Sequence, residues 1–284
     1  MRNPLKAREG RLQQASLRSI TAVLLLSLLI ASPALSSCGN DTNQRVIVAG
    51  STSVQPYAEV LAEHYFEQSA GVEVDVQGGG SSAGITAAQT GTADIGMSSR
   101  SLKESEAGLY TIEIAKDGLA IIVNPNNPVS DLTLNQLRKI YATEITHWSE
   151  VGGTDTKIHI ITREDGSGTR SAFEELVMGD MKISPRAIVQ DSNGAVRQLV
   201  ADDPNAIGFI SLGLVEIGER PVKAISLGGI AASHENVLNG TYNLSRPFLF
   251  VCNGEPTGST KDFIDFVLSE QGRDILRAEG LIVE

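Results

Sequence analysis

Arg163-Glu164-Asp165-Gly166-Ser167-Gly168-Thr169 is the stretch that decides how this chain is read. It follows the β-branched run Lys157-Ile158-His159-Ile160-Ile161-Thr162 and precedes Phe173, Leu176 and Val177, which recur at helical spacing. A strand thus enters a glycine-rich turn and the turn opens a helix. The first N–H groups of a helix have no partner within it and carry partial positive charge, which makes such a turn an anion site. Arg163 adds a permanent cation whose planar fork matches an oxyanion. A tight turn with a structural salt bridge would leave the same pattern, so the rest of the chain must decide between the two.

Two more turns share this chemistry. Gly50-Ser51-Thr52-Ser53 follows the strand-like Val46-Ile47-Val48-Ala49, and Gly78-Gly79-Gly80-Ser81-Ser82 follows the alternating Val72, Val74 and Val76. Each precedes a helical pattern, 54–68 in the first case, with Tyr57, Leu61, Tyr65 and Phe66 on its apolar side, and 83–89 in the second. Ser and Thr are also preferred N-caps for purely structural reasons. In an open α/β sheet, however, all three turns fall beyond the carboxyl ends of strands, where ligands bind. None ends in Gly-Lys-Ser/Thr and none completes the dinucleotide fingerprint. Neutral dipoles with one arginine suit a small tetrahedral oxyanion.

Strand and helix patterns alternate along the chain, which implies α/β layers with largely parallel pairing. After a small strand near Ile95, residues 118–123 read as an apolar strand ending in the breaker Asn124-Pro125-Asn126-Asn127-Pro128. Thr133 caps a helix carrying Leu134, Leu137 and Tyr141; residues 193–201 form another, which Asn193 opens. Strands follow at 207–210 and 222–227, then a short helix at 233–238, the extended segment 242–247 and the buried strand 248–252. Two helices close the chain at 259–268 and 271–278, the first capped by Ser259. Extended crossings near 124–128 and 242–247 suggest two lobes joined by a hinge, 46–123 plus 248–284 and 124–247.

The first 37 residues read as a leader. Arg2, Lys6, Arg8, Arg11 and Arg18 form a basic region, and the apolar run 20–30 is shorter than the ~20 residues that span a bilayer. Leu35-Ser36-Ser37-Cys38 resembles the lipobox of bacterial lipoproteins, so Cys38 is the expected acylation site, followed by a polar tether over 38–45. The expected product is extracytoplasmic, or periplasmic, and held to the cell membrane by lipid. The whole chain carries a net charge of −11; removing residues 1–37 takes away five basic residues and one acidic residue and leaves −15. That balance argues against nucleic acid as a partner. Cys252 lies in an expected core strand, and His64, His147, His159 and His234 show no metal-ligand spacing, so neither metal nor cofactor is expected.

Val48-Ala49-Gly50-Ser51-Thr52-Ser53, Gly79-Gly80-Ser81-Ser82-Ala83-Gly84, Ala93-Asp94-Ile95-Gly96-Met97-Ser98-Ser99-Arg100 and the opening stretch occur in this order. Together they resemble the phosphate-binding proteins of bacterial phosphate ABC transporters, of the type II periplasmic-binding-protein superfamily. The resemblance implies a two-lobed α/β fold that captures inorganic phosphate between its lobes and hands it to membrane permease subunits. Carried over by position, it makes Ser51, Thr52, Ser53, Ser81 and Ser82 donors from the first lobe. Arg163, Ser167, Gly168 and Thr169 then close from the second, with Asp165 orienting Arg163. Ser98, Ser99, Arg100 and Asn193 are supporting candidates. Many family members carry a carboxylate where this chain has Ser99, which leaves sulfate, molybdate and tungstate as alternative anions and Asp94 or Asp191 as substitute proton acceptors. A sensory role for the same binding protein is a further reading.

An enzyme reading has one hook. Gly80-Ser81-Ser82-Ala83-Gly84 matches the G-x-S-x-G nucleophile elbow, and Asp191 and His234 follow in the order of a hydrolase triad. It leaves the turns at Ser51 and Ser167 unexplained, and a non-enzymatic binding protein is the expectation.

Overall fold

The computed structural model describes residues 45–69, 71–215 and 221–283. The expected leader, the acylation site Cys38 and the tether as far as Gln44 lie outside the described residues.

Strand β1 (Arg45–Gly50) buries Val46 and Val48 on one face and pairs in parallel with β2 (Glu73–Gly78) and β3 (Ile95–Ser98). Parallel neighbours need crossovers, supplied here by α1 (Gln55–Gln68) and α2 (Ser81–Thr90). The α1 stripe is Tyr57, Leu61 and Tyr65 at four-residue spacing; Phe66, expected on that face, lies about 100° round the helix and is 56% exposed. Helix α2 sits so close to the sheet that a Cβ on Gly84 would lie 2.4 Å from the Ala49 carbonyl oxygen. The second glycine of the elbow-like motif is thus explained by packing.

The 14-residue strand β4 (Tyr110–Val123) changes partner along its length. Its first part, Tyr110 to Gly118, runs antiparallel to β11 (Ser245–Cys252), which also pairs antiparallel with β3. Its last part, Leu119 to Val123, runs antiparallel to β8 (Ala206–Ser211), and its final two residues also meet β9 (Lys223–Ala224). Beyond β8 come β6 (His159–Arg163) and β7 (Ile188–Gln190), parallel again. The order is therefore β2-β1-β3-β11-β4-β8-β6-β7, while β5 (Asp131–Leu132) and β10 (Ser226–Leu227) form a separate ribbon. Parallel pairing, expected for most of the sheet, holds within each wing and gives way at the centre, where β4 and β11 pass between the wings in opposite directions.

The second wing carries α3 (Leu134–Tyr141), α4 (Gly168–Phe173), α5 (Asn193–Asp202) and α6 (His234–Leu238). Thr133 caps α3 by accepting the Gln136 N–H. Phe173 stacks on Phe209 with ring centres 4.1 Å apart, and Tyr141 packs against both. Helices α7 (Gly258–Leu268) and α8 (Glu270–Ala278) return to the first wing, where Phe263 meets Tyr65 and Phe250. The N-cap of α7 is Thr257, not Ser259, because the helix begins at Gly258. Among the described residues no helix is long and apolar enough to cross a membrane.

Candidate functional site

The strand-to-helix turns converge where the wings meet. From the first wing, Ser51 Oγ donates to Ser99 Oγ at 2.9 Å, and Ser99 N–H donates to Ser81 Oγ at 3.0 Å. Backbone bonds lace the same turns together, Ser51 N–H to the Met97 carbonyl at 3.0 Å and Gly80 N–H to the Gly50 carbonyl at 2.9 Å. Ser51, Ser53, Ser81 and Ser99 are all buried. Five short polar side chains are thus held on rigid strand ends and helix starts, counting the half-buried Thr52.

From the second wing, β6 ends on Arg163 and the turn after it opens α4. Thr169 Oγ1 lies 2.9 Å from Ser53 Oγ, so the two wings share a hydroxyl pair. Ser82 N–H donates to the Gly166 carbonyl at 3.0 Å. A Cβ on Gly168 would come within 2.2 Å of Ser81 Oγ and 2.5 Å of Ser99 Oγ, so only glycine lets this backbone approach the hydroxyls. Ser167 caps α4 by accepting the Arg170 N–H at 3.2 Å. Asn193, at the start of α5, donates to Thr52 Oγ1 at 3.1 Å and Ser53 Oγ at 2.9 Å. It thereby moves from a supporting candidate into the cluster itself.

Arg163 is 1% exposed. Its Nε and Nη2 donate to the two Glu164 carboxylate oxygens, both at 2.9 Å, and Nη2 also reaches the Asp191 carbonyl at 3.1 Å. Glu164 is therefore the carboxylate that orients Arg163. Asp165, expected in that role, is nearly fully exposed and pairs with Arg170 at 2.7 Å, because its side chain leaves the turn on the outer side. The Arg163 Nη1 is buried with no hydrogen-bond partner. Native structures leave few such groups, since an unsatisfied buried donor costs about 1–3 kcal/mol and more when charged.

The third motif divides. Ser99 belongs to the cluster, whereas Ser98 closes a local turn by donating to the Arg100 carbonyl at 2.9 Å. Arg100 is held by both Glu106 oxygens at 2.7 Å and donates to Ser82 Oγ at 3.2 Å, so it braces the α2 turn. Glu106, bonded to Arg100 and to the Lys103 N–H, has its carboxyl held below the usual range. Asp94 accepts the Ile47 N–H at the far end of the strands, and Asp191 is exposed and meets Arg163 through its carbonyl. His234 is exposed and packs against Gly280, while Ser82 Oγ faces Arg100; the three residues of the triad reading are not joined by a hydrogen bond.

Two buried residues that sequence reading passed over complete the cluster. Arg246 Nη2 donates to Ser53 Oγ at 3.0 Å and to Asp117 Oδ2 at 3.1 Å, and Ser211 Oγ donates to Asp117 Oδ1 at 2.8 Å. Burial, and to a smaller degree the nearby Arg163, pushes the Arg246 guanidinium down while Asp117 holds it up. Burial likewise raises the Asp117 carboxyl, against the pull of Arg246 and Ser211. The signal for both was a charge at the end of an apolar strand, Asp117 before 118–123 and Arg246 before 248–252.

Hydroxyls, helix-start N–H groups and two guanidiniums, each backed by its own carboxylate, make a donor-rich site suited to an oxyanion. Its place between two α/β wings defines a two-lobed, periplasmic-binding-protein-like molecule. The PBP superfamily domain matches residues 36–271. The phosphate-binding protein PstS of Bacillus subtilis (strain 168) is 32% identical over 240 residues, covering 83% of this chain and 79% of that protein. PstS of Borreliella burgdorferi is 29% identical over 272 residues, covering 92% and 98%. Among solved structures, a phosphate ABC transporter substrate-binding protein from Clostridium perfringens with bound phosphate superposes with a TM-score of 0.81 and is 45% identical, covering 85% of this chain and 100% of that one. An ABC-type phosphate transport receptor from Vibrio cholerae gives 0.70 at 43% identity, covering 84% and 100%. The chain belongs to the PBP superfamily and, within it, to the family of the phosphate-binding protein PstS.

Proposed function

We propose that this chain binds inorganic phosphate between its lobes and delivers it to the permease subunits of an ABC transporter, without covalent chemistry. The observation that carries the reading is the buried, unpartnered Nη1 of Arg163, the residue that ends β6 and leads into the turn of Ser167, Gly168 and Thr169. Phosphate oxygens satisfy that donor and take hydrogen bonds from Ser51, Thr52, Ser53, Ser81, Ser82, Ser167, Gly168 and Thr169. The names of the relatives support phosphate as the anion.

The sequence expectation is one lobe of residues 46–123 plus 248–284 and another of 124–247, rocking about two crossings. The change of strand partner supports setting the first crossing inside β4, at Gly118–Leu119, ahead of the 124–128 breaker. Acylation at Cys38 holds the protein outside the cell membrane, close to the permease. Isothermal titration of the purified protein with phosphate, sulfate and molybdate from about pH 6 to 8.5 tests the ligand. Tight phosphate binding is expected; heat from sulfate or molybdate with none from phosphate overturns the reading.

A further inference from the structure

Arg246 and Asp117 are direct register partners on the two antiparallel strands that pass between the wings. They are 4% and 2% exposed. One edge of the Arg246 fork, Nε and Nη2, is fixed on Asp117 Oδ2 at 3.2 and 3.1 Å, and Ser211 fixes the other carboxylate oxygen. The remaining reach of the guanidinium is turned to the site. Nη2 meets Ser53 Oγ at 3.0 Å and, among the described residues, Nη1 meets only Ser99 Oγ, at 3.4 Å. Those hydroxyls sit on two different turns, and they are the ones that contact Thr169, Ser51 and Ser81. A buried ion pair alone gains little after desolvation, and a structural role gives no reason for the cation to face neutral hydroxyls shared by three anion-binding turns.

We propose that Arg246 is a second anion-binding cation of this site and that Asp117, braced by Ser211, is the residue that positions it and balances its charge. The proposal rests on the reading of these turns as an oxyanion site. It also bears on selectivity. Arg163 with Glu164 and Arg246 with Asp117 leave the cluster formally neutral, so an anion is held by directed hydrogen bonds more than by net charge. A hydroxyl both donates and accepts, so Ser99 is able to accept a hydrogen bond from the proton of hydrogen phosphate once the anion draws the Ser51 or Arg246 donor away from its oxygen.

The test uses titration calorimetry of the wild type and three variants with phosphate and sulfate at pH 6, alongside circular dichroism for the fold. Arg246→Met/Asp117→Asn removes both charges together and is expected to stay folded while losing roughly a hundredfold in phosphate affinity. Arg246→Lys keeps the charge without the fork and is expected to lose about tenfold. Asp117→Asn leaves the site one charge more positive, and the sulfate-to-phosphate affinity ratio is expected to rise about tenfold, which a merely structural pair would not produce. Affinity within about threefold of wild type in the folded double variant overturns the proposal, and so does an unchanged ratio in Asp117→Asn. If the double variant does not fold, Arg246→Lys decides, and undiminished affinity there overturns it. A wild type that binds sulfate or molybdate and not phosphate defeats the phosphate reading alone, and the variants are then judged against the anion it does bind. A wild type that binds none of the three overturns both.

Discussion

At Arg163 a single atom separates a structural arginine from a binding one. Two of its nitrogens are spent on Glu164, and the third is buried with nothing to donate to. Arg163→Met is therefore expected to lower phosphate affinity about a hundredfold by titration while leaving the melting temperature within a few degrees, since the orphaned donor leaves with the charge. Gly168→Ala tests the geometry from the other side. Its methyl would meet Ser81 Oγ and Ser99 Oγ at 2.2 and 2.5 Å, so either the turn or these two hydroxyls must leave their places in the cluster, and affinity is expected to fall at least about tenfold with the circular dichroism spectrum unchanged. The hydroxyls and glycines of the cluster were legible because strand, glycine turn and helix start form a local pattern. Arg246, Asp117 and the Glu164 partnership were not, since each depends on which strands become neighbours or on which way a turn's side chains point.

Among elements, the short 3₁₀ turn Glu104–Glu106 fixes the α2 turn through Arg100. The Glu106 carboxyl is held below its ordinary value chiefly by the Arg100 hydrogen bonds. A depressed carboxylate contributes stability that is present above its unfolded-state value near 4.3 and lost as pH falls through the lower folded value. Glu106→Gln is thus expected to cost on the order of 1–2 kcal/mol in urea melts at pH 7, with the gap closing in acid below about pH 4. A gap that stays constant to pH 3 would remove the ion pair from the account. Most elements were legible from periodicity, but β4 was read only from residue 118. Its first half, Tyr110-Thr111-Ile112-Glu113-Ile114-Ala115-Lys116-Asp117, interleaves charges with apolar residues, and its strand character comes from pairing with β11. The first crossing is accordingly read from the conspicuous prolines at 125 and 128, whereas the change of strand partner falls at Gly118–Leu119.

Across the whole molecule, β4 and β11 do more than connect. β4 is continuous through the junction and β11 begins at it, and one apolar core runs from Val46, Tyr57 and Phe248 in the first wing to Phe209, Tyr141 and Trp148 in the second. The pattern behind the two-lobe expectation was legible because the chain leaves one α/β alternation and returns to it. The shared core was not, because contact between the wings is tertiary. Two wings that share strands and core should melt together, and a ligand held by donors from both stabilises the folded state by RT ln(1 + [L]/Kd), about 4 kcal/mol at a thousandfold excess over Kd. Calorimetric unfolding is therefore expected to show one transition that moves upward with phosphate concentration in the wild type and moves much less in Arg163→Met, whose weaker binding needs about a hundredfold more phosphate for the same shift. Two transitions, of which phosphate moves only one, would mean that the wings are separate folding units and that the anion is held by one of them alone.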